Sequence, residues 1–176
     1  NIYKVSEYEY HVFFLFIRTY CYSGMFRYNK SGNFNVPYGG IGYNRNNLSK
    51  KISYYQSDAL RIRFGQTQFE NLDFEEFLDS KKLSENDFVF LDPPYDTEFS
   101  TYLQNEFSKK DQKRLASYLV KKTSAKWMLV IKFTNFIMDL YKGKGLIIEQ
   151  IDKKYNVSFM NRNEKNVTHL IIRNFK

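Results

Sequence analysis

Residues 88–95, Phe-Val-Phe-Leu-Asp-Pro-Pro-Tyr, constrain the fold more than any other stretch of this 176-residue chain. Four consecutive large apolar side chains without alternation read as a strand buried on both faces, as in the middle of a parallel sheet. Pro93 and Pro94 have no N–H and fix φ, so the chain must leave the sheet at Asp92 in an extended, rigid turn. That turn lies at the carboxyl end of the strand, where open α/β sheets bind ligands. Three groups arrive there together. The Asp92 carboxylate can accept one hydrogen of an amino group, the Pro93 carbonyl can accept the other, and Tyr95 can stack on a flat ring. The set suits a planar, amino-bearing heterocycle.

Charge placement supplies the second constraint. Between Arg18 and Arg63 stand eight basic residues and one acid, Asp58, in a chain whose formal net charge is +8. Tyr, Asn and Gly fill the same stretch, which joins phosphate-binding charge to rings that stack on or wedge between bases. A solvated basic face is the alternative reading of this composition. The single cysteine, Cys21, excludes an internal disulfide and suits a reducing cytoplasm, and no apolar run reaches membrane-spanning length, so a soluble cytoplasmic protein is expected. His11 and His169 have no partner at metal-ligand or triad spacing and read as satisfied or exposed side chains. The Gly39–Gly42 run neither follows a strand nor opens a helix, so it is not read as a phosphate loop.

In chain order, apolar spacing predicts a largely buried helix over 8–20, broken at Ser23-Gly24, then a hairpin around Asn29-Lys30-Ser31-Gly32. Pro37 to Gly42 reads as an irregular surface loop. A helix is expected over 48–60, capped near Asn47 or Ser49, followed by a strand over 61–69 and a short acidic helix over 74–78. After the strand at 88–91 come a polar loop over 96–106, a helix capped at Ser108, a buried strand over 127–133 and a short helix over 136–141 stopped by glycines. Two further strands, 146–151 and 167–172, form an antiparallel hairpin through 155–165. The architecture is α/β with a mostly parallel sheet, and the length suits one domain: a basic module over 1–63 and a sheet-bearing part over 64–176.

These residues resemble the adenine-specific DNA methyltransferases of the Dam-like class. FVFLDPPY resembles that family's catalytic segment, and RTYCYSGMFRYNKSGNFNVPY, residues 18–38, resembles its DNA-contacting hairpin, roughly R-x-x-x-F-N-G-L-x-R-Y-N-x-x-G-x-F-N-V-P-[FY]-G. The resemblance implies a Rossmann-like sheet, S-adenosylmethionine as methyl donor and double-stranded DNA as partner. It implies an adenine flipped from the duplex, stacked on Tyr95, and presenting its amino group to Asp92 and the Pro93 carbonyl, with Pro94 holding the turn. It also implies that Asp73 and Phe74 contact the cofactor adenine, with Asp92 lining the cofactor site, although an Asp at 73 equally reads as a helix cap. In the hairpin it assigns Arg27 to a guanine edge, Tyr22 to the side of the target base and Met25 to a neighbouring apolar contact. Ser23, Asn29, Lys30 and Pro37 complete the implied DNA surface. Ser23 departs from the family, which usually has Asn there.

Family members carry F-x-G-x-G and K-x-x-G-G-K segments upstream of both motifs, and neither occurs here. The expectation is therefore a carboxyl-terminal part, inactive by itself, that either pairs with a missing amino-terminal part or self-associates through exposed sheet surface. GATC is the first guess for the recognised sequence, in a restriction-modification or orphan setting. A non-catalytic DNA-binding module is the competing reading, and methylation of RNA or of a protein glutamine a third.

Overall fold

A computed structural model describes residues 6–95, 107–154 and 166–176. The chain divides into two compact units, Asn1–Phe69 and Glu70–Lys176, so the expected 63/64 boundary falls inside a helix.

In the first unit, α1 (Glu7–Tyr20) starts at a reciprocal cap: the Ser6 hydroxyl accepts from the Glu9 amide while the Glu9 carboxylate accepts from Ser6 N. The helix is as expected, but its burial is not. Val12, Phe13, Phe14 and Phe16 are 41–51 % exposed, because the unit encloses little beyond Thr19, Cys21 and Val36. After a 3-10 turn at Tyr22–Gly24 the chain doubles back at Asn29–Asn33, with isolated antiparallel bridges Tyr28–Phe34 and Cys21–Tyr38 in place of regular strands. Residues 41–45 form a second 3-10 helix, whose first two residues fall in the loop expected over 37–42. Gly39 before it has a packing reason: a Cβ there would sit 2.5 Å from the Tyr43 ring.

The expected helix over 48–60 is two helices. α2 (Leu48–Tyr55), capped by Asn47, ends at Gln56, and α3 (Asp58–Gly65) follows from Ser57. The strand expected over 61–69 does not form. Arg61, Ile62, Arg63 and Phe64 continue α3, because their alternation is too short to outweigh a helix already started at Asp58.

The second unit begins with α4 (Phe74–Ser80) and contains β1 (Phe88–Leu91), α5 (Lys109–Lys121), β2 (Lys126–Lys132), α6 (Asn135–Tyr141), β3 (Ile147–Lys154) and β4 (Asn166–Arg173). Among the described strands the order is β1-β2-β4-β3: β1 and β2 run parallel, while β4 is antiparallel to both its neighbours. The sheet is thus mixed, not mostly parallel, because β4 turns back between β2 and β3. The polar loop expected over 96–106 and the connection over 155–165 lie outside the described residues.

Alternation along β2 divides the sheet faces. Trp127, Leu129 and Ile131 are fully buried and share a core with Leu115, Ala116 and Leu119 of α5, Ile137 and Tyr141 of α6, and Leu170 and Ile172 of β4. Trp127 Nε1 donates to the Leu119 carbonyl at 3.1 Å, and burial pushes the Tyr141 hydroxyl pKa up. On the other face Phe88 and Phe90 are 56 % and 60 % exposed. β1 is therefore buried on one side only among the described residues, correcting the two-sided burial that its apolar run suggested.

Leu129→Ala is expected to lower the stability of the second unit by about 2–5 kcal/mol, and Phe90→Thr by under about 1 kcal/mol. Trp127 is the only tryptophan in the chain, so urea unfolding followed by its fluorescence reports this unit. Equal losses for the two variants would contradict the assignment of faces.

Candidate active site and nucleic-acid surface

Parallel pairing of β1 and β2 brings their carboxyl ends to one edge of the sheet, with Leu91 opposite Leu129. Asp92 leaves β1 there. Its side chain shares a cavity of about 300 Å³ with Phe90, Tyr95, Val130, His169 and Ile171, and with Ile151 and Asp152 of β3. Tyr95 is half-buried against the core and meets the His169 ring edge-on, with centroids 5.4 Å apart and planes at 70°. His169 stands opposite Lys132 across the β2–β4 ladder and is 5 % exposed, so it belongs to the site rather than to the surface. His11, by contrast, is exposed on α1 with Nδ1 2.7 Å from the Glu7 carbonyl.

The Pro-Pro turn is anchored from below. Gln112 of α5, fully buried, donates Nε2–H to the Pro94 carbonyl at 2.9 Å. Among the described residues no donor reaches the Pro93 carbonyl. Nothing in the sequence marked Gln112; it became visible only when α5 was packed under the sheet.

Asp73 and Phe74 do not follow a strand. Asp73 caps α4, its Oδ1 accepting from Glu75 N at 3.0 Å, and Arg114 of α5 donates to the same oxygen at 2.8 Å. The same guanidinium reaches Glu75 at 3.2 Å and Asp111 at 2.9 Å, and lies 4.9 Å from the centre of the Phe74 ring. Lys122 closes the cluster on Glu75 at 2.6 Å. Arg114, then the Glu75 amide, hold the Asp73 carboxyl below the usual range. Lys122 does most of this for Glu75, and the Ser108 cap for Asp111.

In the first unit the hairpin gathers most of the candidate DNA residues on its exposed side. Tyr22, Ser23, Arg27, Asn29, Lys30 and Pro37 are exposed and Met25 is half-buried. Tyr22 N donates to the Pro37 carbonyl at 2.9 Å, joining the two ends of the segment. Ser23 sits in the left-handed region at φ 54°, with its amide donating to the Tyr43 hydroxyl at 2.9 Å. Asn adopts that region more readily than Ser, so the backbone there is strained. Asn29 Oδ1 accepts from Ser31 N and Asn33 N, which commits it to shaping the turn. Arg27 donates from Nε and Nη2 to Asn35 at 3.0 and 3.2 Å. Three of its five N–H groups remain beyond that edge, enough for a two-pronged contact through the terminal nitrogens. Asn35 was not singled out by sequence reasoning, although it sits in the quoted F-N-V-P run. Arg162, whose loose resemblance to a late family segment yields to the reading of a surface arginine, lies outside the described residues.

Comparison with known proteins finds the D12 class N6 adenine-specific DNA methyltransferase family matching residues 1–159. The type II methyltransferase M.CviBI of Paramecium bursaria Chlorella virus NC1A is 36 % identical over 165 residues, covering 92 % of this chain and 60 % of that protein. The retron Ec67 DNA adenine methylase of Escherichia coli is 32 % identical over 142 residues, 80 % of this chain and 47 % of that protein. The type II methyltransferase M.MjaIII of Methanocaldococcus jannaschii is 34 % identical over 145 residues, 74 % of this chain and 45 % of its own. The chain thus spans about half the length of these curated relatives.

The Arg114 cluster sets a pH dependence. Its carboxylates have lowered folded-state pKa values, so their contribution is present above the ordinary carboxylate range and is lost as pH falls through the lowered values. Arg114→Met is expected to lower the melting temperature at pH 7, with the gap from wild type closing as pH drops below about 4. A gap that stays constant to pH 2.5 would show that the loss came from packing on Phe74 alone.

Proposed function

The chain belongs to the D12 class N6 adenine-specific DNA methyltransferase family, and on that footing we propose that it holds the exocyclic amino group of an adenine in duplex DNA for methylation, with S-adenosylmethionine as donor. The observation that carries this reading is that Asp92 and Tyr95 line one cavity at the carboxyl end of β1, with Pro93 in the rigid turn between them. Asp92 accepts one amino hydrogen and the Pro93 carbonyl the other, which directs the nitrogen lone pair away from both acceptors. Tyr95 stacks on the flipped base while in T-shaped contact with the His169 ring. The contributions are positioning and electrostatics, and no separate general base is required.

The residues present suit the donor. The exposed Asp92 carboxylate complements a cationic group, and the half-buried Phe74 ring stands beside Asp73 with the Arg114 guanidinium 4.9 Å from its centre. Asp73 is already bonded to Glu75 N and Arg114, so it meets an amino group with remaining lone pairs rather than as a free carboxylate. When bound, S-adenosylmethionine supplies an electrophilic methyl group on its sulfonium sulfur.

The hairpin of the first unit is the DNA-contacting element in this reading. Arg27 reads a guanine with its terminal nitrogens, held in place by Asn35, and Lys30 contributes phosphate affinity. GATC is the sequence to test first.

Asp92→Ala is expected to lower methyl transfer to a GATC duplex at least about 100-fold while duplex binding stays unchanged. Arg27→Ala is expected to cost about 1–3 kcal/mol of binding and to relax the preference for guanine. Labelled-methyl incorporation and fluorescence anisotropy read the two effects. Duplex binding sensitive to Arg27, with methyl transfer absent from the wild type both alone and with an added amino-terminal part carrying F-x-G-x-G, would instead favour a non-catalytic binding module.

A further inference from the structure

We propose that Gln112 is a positioning residue for the Asp92–Tyr95 turn, setting the direction in which the Tyr95 ring faces the substrate; this rests on the function proposed above. The proline rings lock φ at Pro93 and Pro94, and a following proline confines ψ at Asp92 and Pro93 to extended values. The torsion with most freedom before Tyr95 is therefore ψ of Pro94, which swings the Pro94 carbonyl and the Tyr95 amide together. That carbonyl is the group Gln112 Nε2 holds, at 2.9 Å, from a helix 18 residues further along the chain. The Gln112 bond thus removes the main rotation left in the turn.

The cost of this arrangement argues against a role in stability. Gln112 is fully buried, and among the described residues its Oε1 has no hydrogen-bond partner. An apolar side chain of similar volume would remove that orphaned oxygen. Pro94 itself is exposed, so the turn lies at the surface and is not locked by burial around it. Carrying an unsatisfied buried amide in order to hold the carbonyl of a surface turn makes sense where the orientation of the turn matters. The rest of α5 is arranged to support it: the Ser108–Asp111 cap fixes the first turn of the helix, and Arg114, two residues beyond Gln112, ties it to α4.

The test uses the full chain and a readout separate from activity. The chain has two histidines, His11 and His169, so imidazole NMR signals are readily assigned, and the His169 ring protons feel the ring current of Tyr95. Tyr95→Leu defines the signal position without that ring. Gln112→Met, which keeps length and volume but has no donor, is expected to shift the His169 signal most of the way to the Tyr95→Leu position. Its melting temperature should equal or exceed wild type. Gln112→Asn, too short to reach the carbonyl, should shift the signal in the same way, and kcat for methyl transfer should fall about 10- to 100-fold in both with KM for the donor unchanged. An unmoved His169 signal in Gln112→Met would overturn the proposal, as would loss of folding in both variants, which would make Gln112 a stability residue. Absence of methyl transfer by wild type, even with an added amino-terminal part carrying F-x-G-x-G, would instead sink the function proposed above, and the NMR comparison would still decide the role of Gln112.

Discussion

The second unit depends on one arrangement: the burial of alternate residues of β2 against α5 and α6. Trp127, Leu129 and Ile131 are fully enclosed, and they pair across the ladder with residues of β1 and β4 whose same-side neighbours enter the same core. Hydrophobic burial of this kind has no direction of its own. What gives it direction here is the period-2 alternation of the strands, which forces the intervening residues to the opposite face. There β1 and β4 line the cavity with Phe90, His169 and Ile171. Core and site are thus two faces of the same strands.

α5 transmits that arrangement to the polar groups. Leu115, Ala116 and Leu119 seat it in the core, and the residues of its first turns then fall within reach of two separate segments. Gln112 meets the Pro-Pro turn, and Arg114 meets the cap of α4. Each contact is modest by itself, and the ion pairs are partly exposed to water. Their effect is geometric: Asp92–Tyr95 and Asp73–Phe74, neighbours of different elements, are both referenced to one rigid helix. The first unit works at smaller scale, where turn chemistry at Asn29 and the close approach of Tyr43 to Gly39 shape a segment with little core.

Much of the fold was legible in the sequence. The reciprocal Ser108–Asp111 cap, the run over 127–133 and the final antiparallel pair appeared where local pattern placed them, because caps and long apolar runs are local signals. The failures share a cause. The strand expected at 61–69 is helical, α1 is far more exposed than its aromatic content suggested, and Phe88 and Phe90 face outward. Periodicity states which residues could be buried, but not which of them find a partner. His169 was set aside as a lone histidine because its neighbour, Tyr95, is 74 positions away in sequence.

The sequence by itself determined the chemistry: an Asp-Pro-Pro-Tyr turn at the end of an apolar strand, a basic aromatic hairpin before it, and through these motifs the family. Proline stereochemistry and residue type are local, so they can be read without coordinates. Only the tertiary structure decided what holds that chemistry in place. The Gln112 amide under Pro94, the T-shaped contact of His169 with Tyr95, the Arg114 bridge to Asp73 and the Asn35 brace on Arg27 join residues that are 8 to 74 positions apart in the chain. No local pattern encodes such pairings, because they follow from the packing of helices and strands against a shared core.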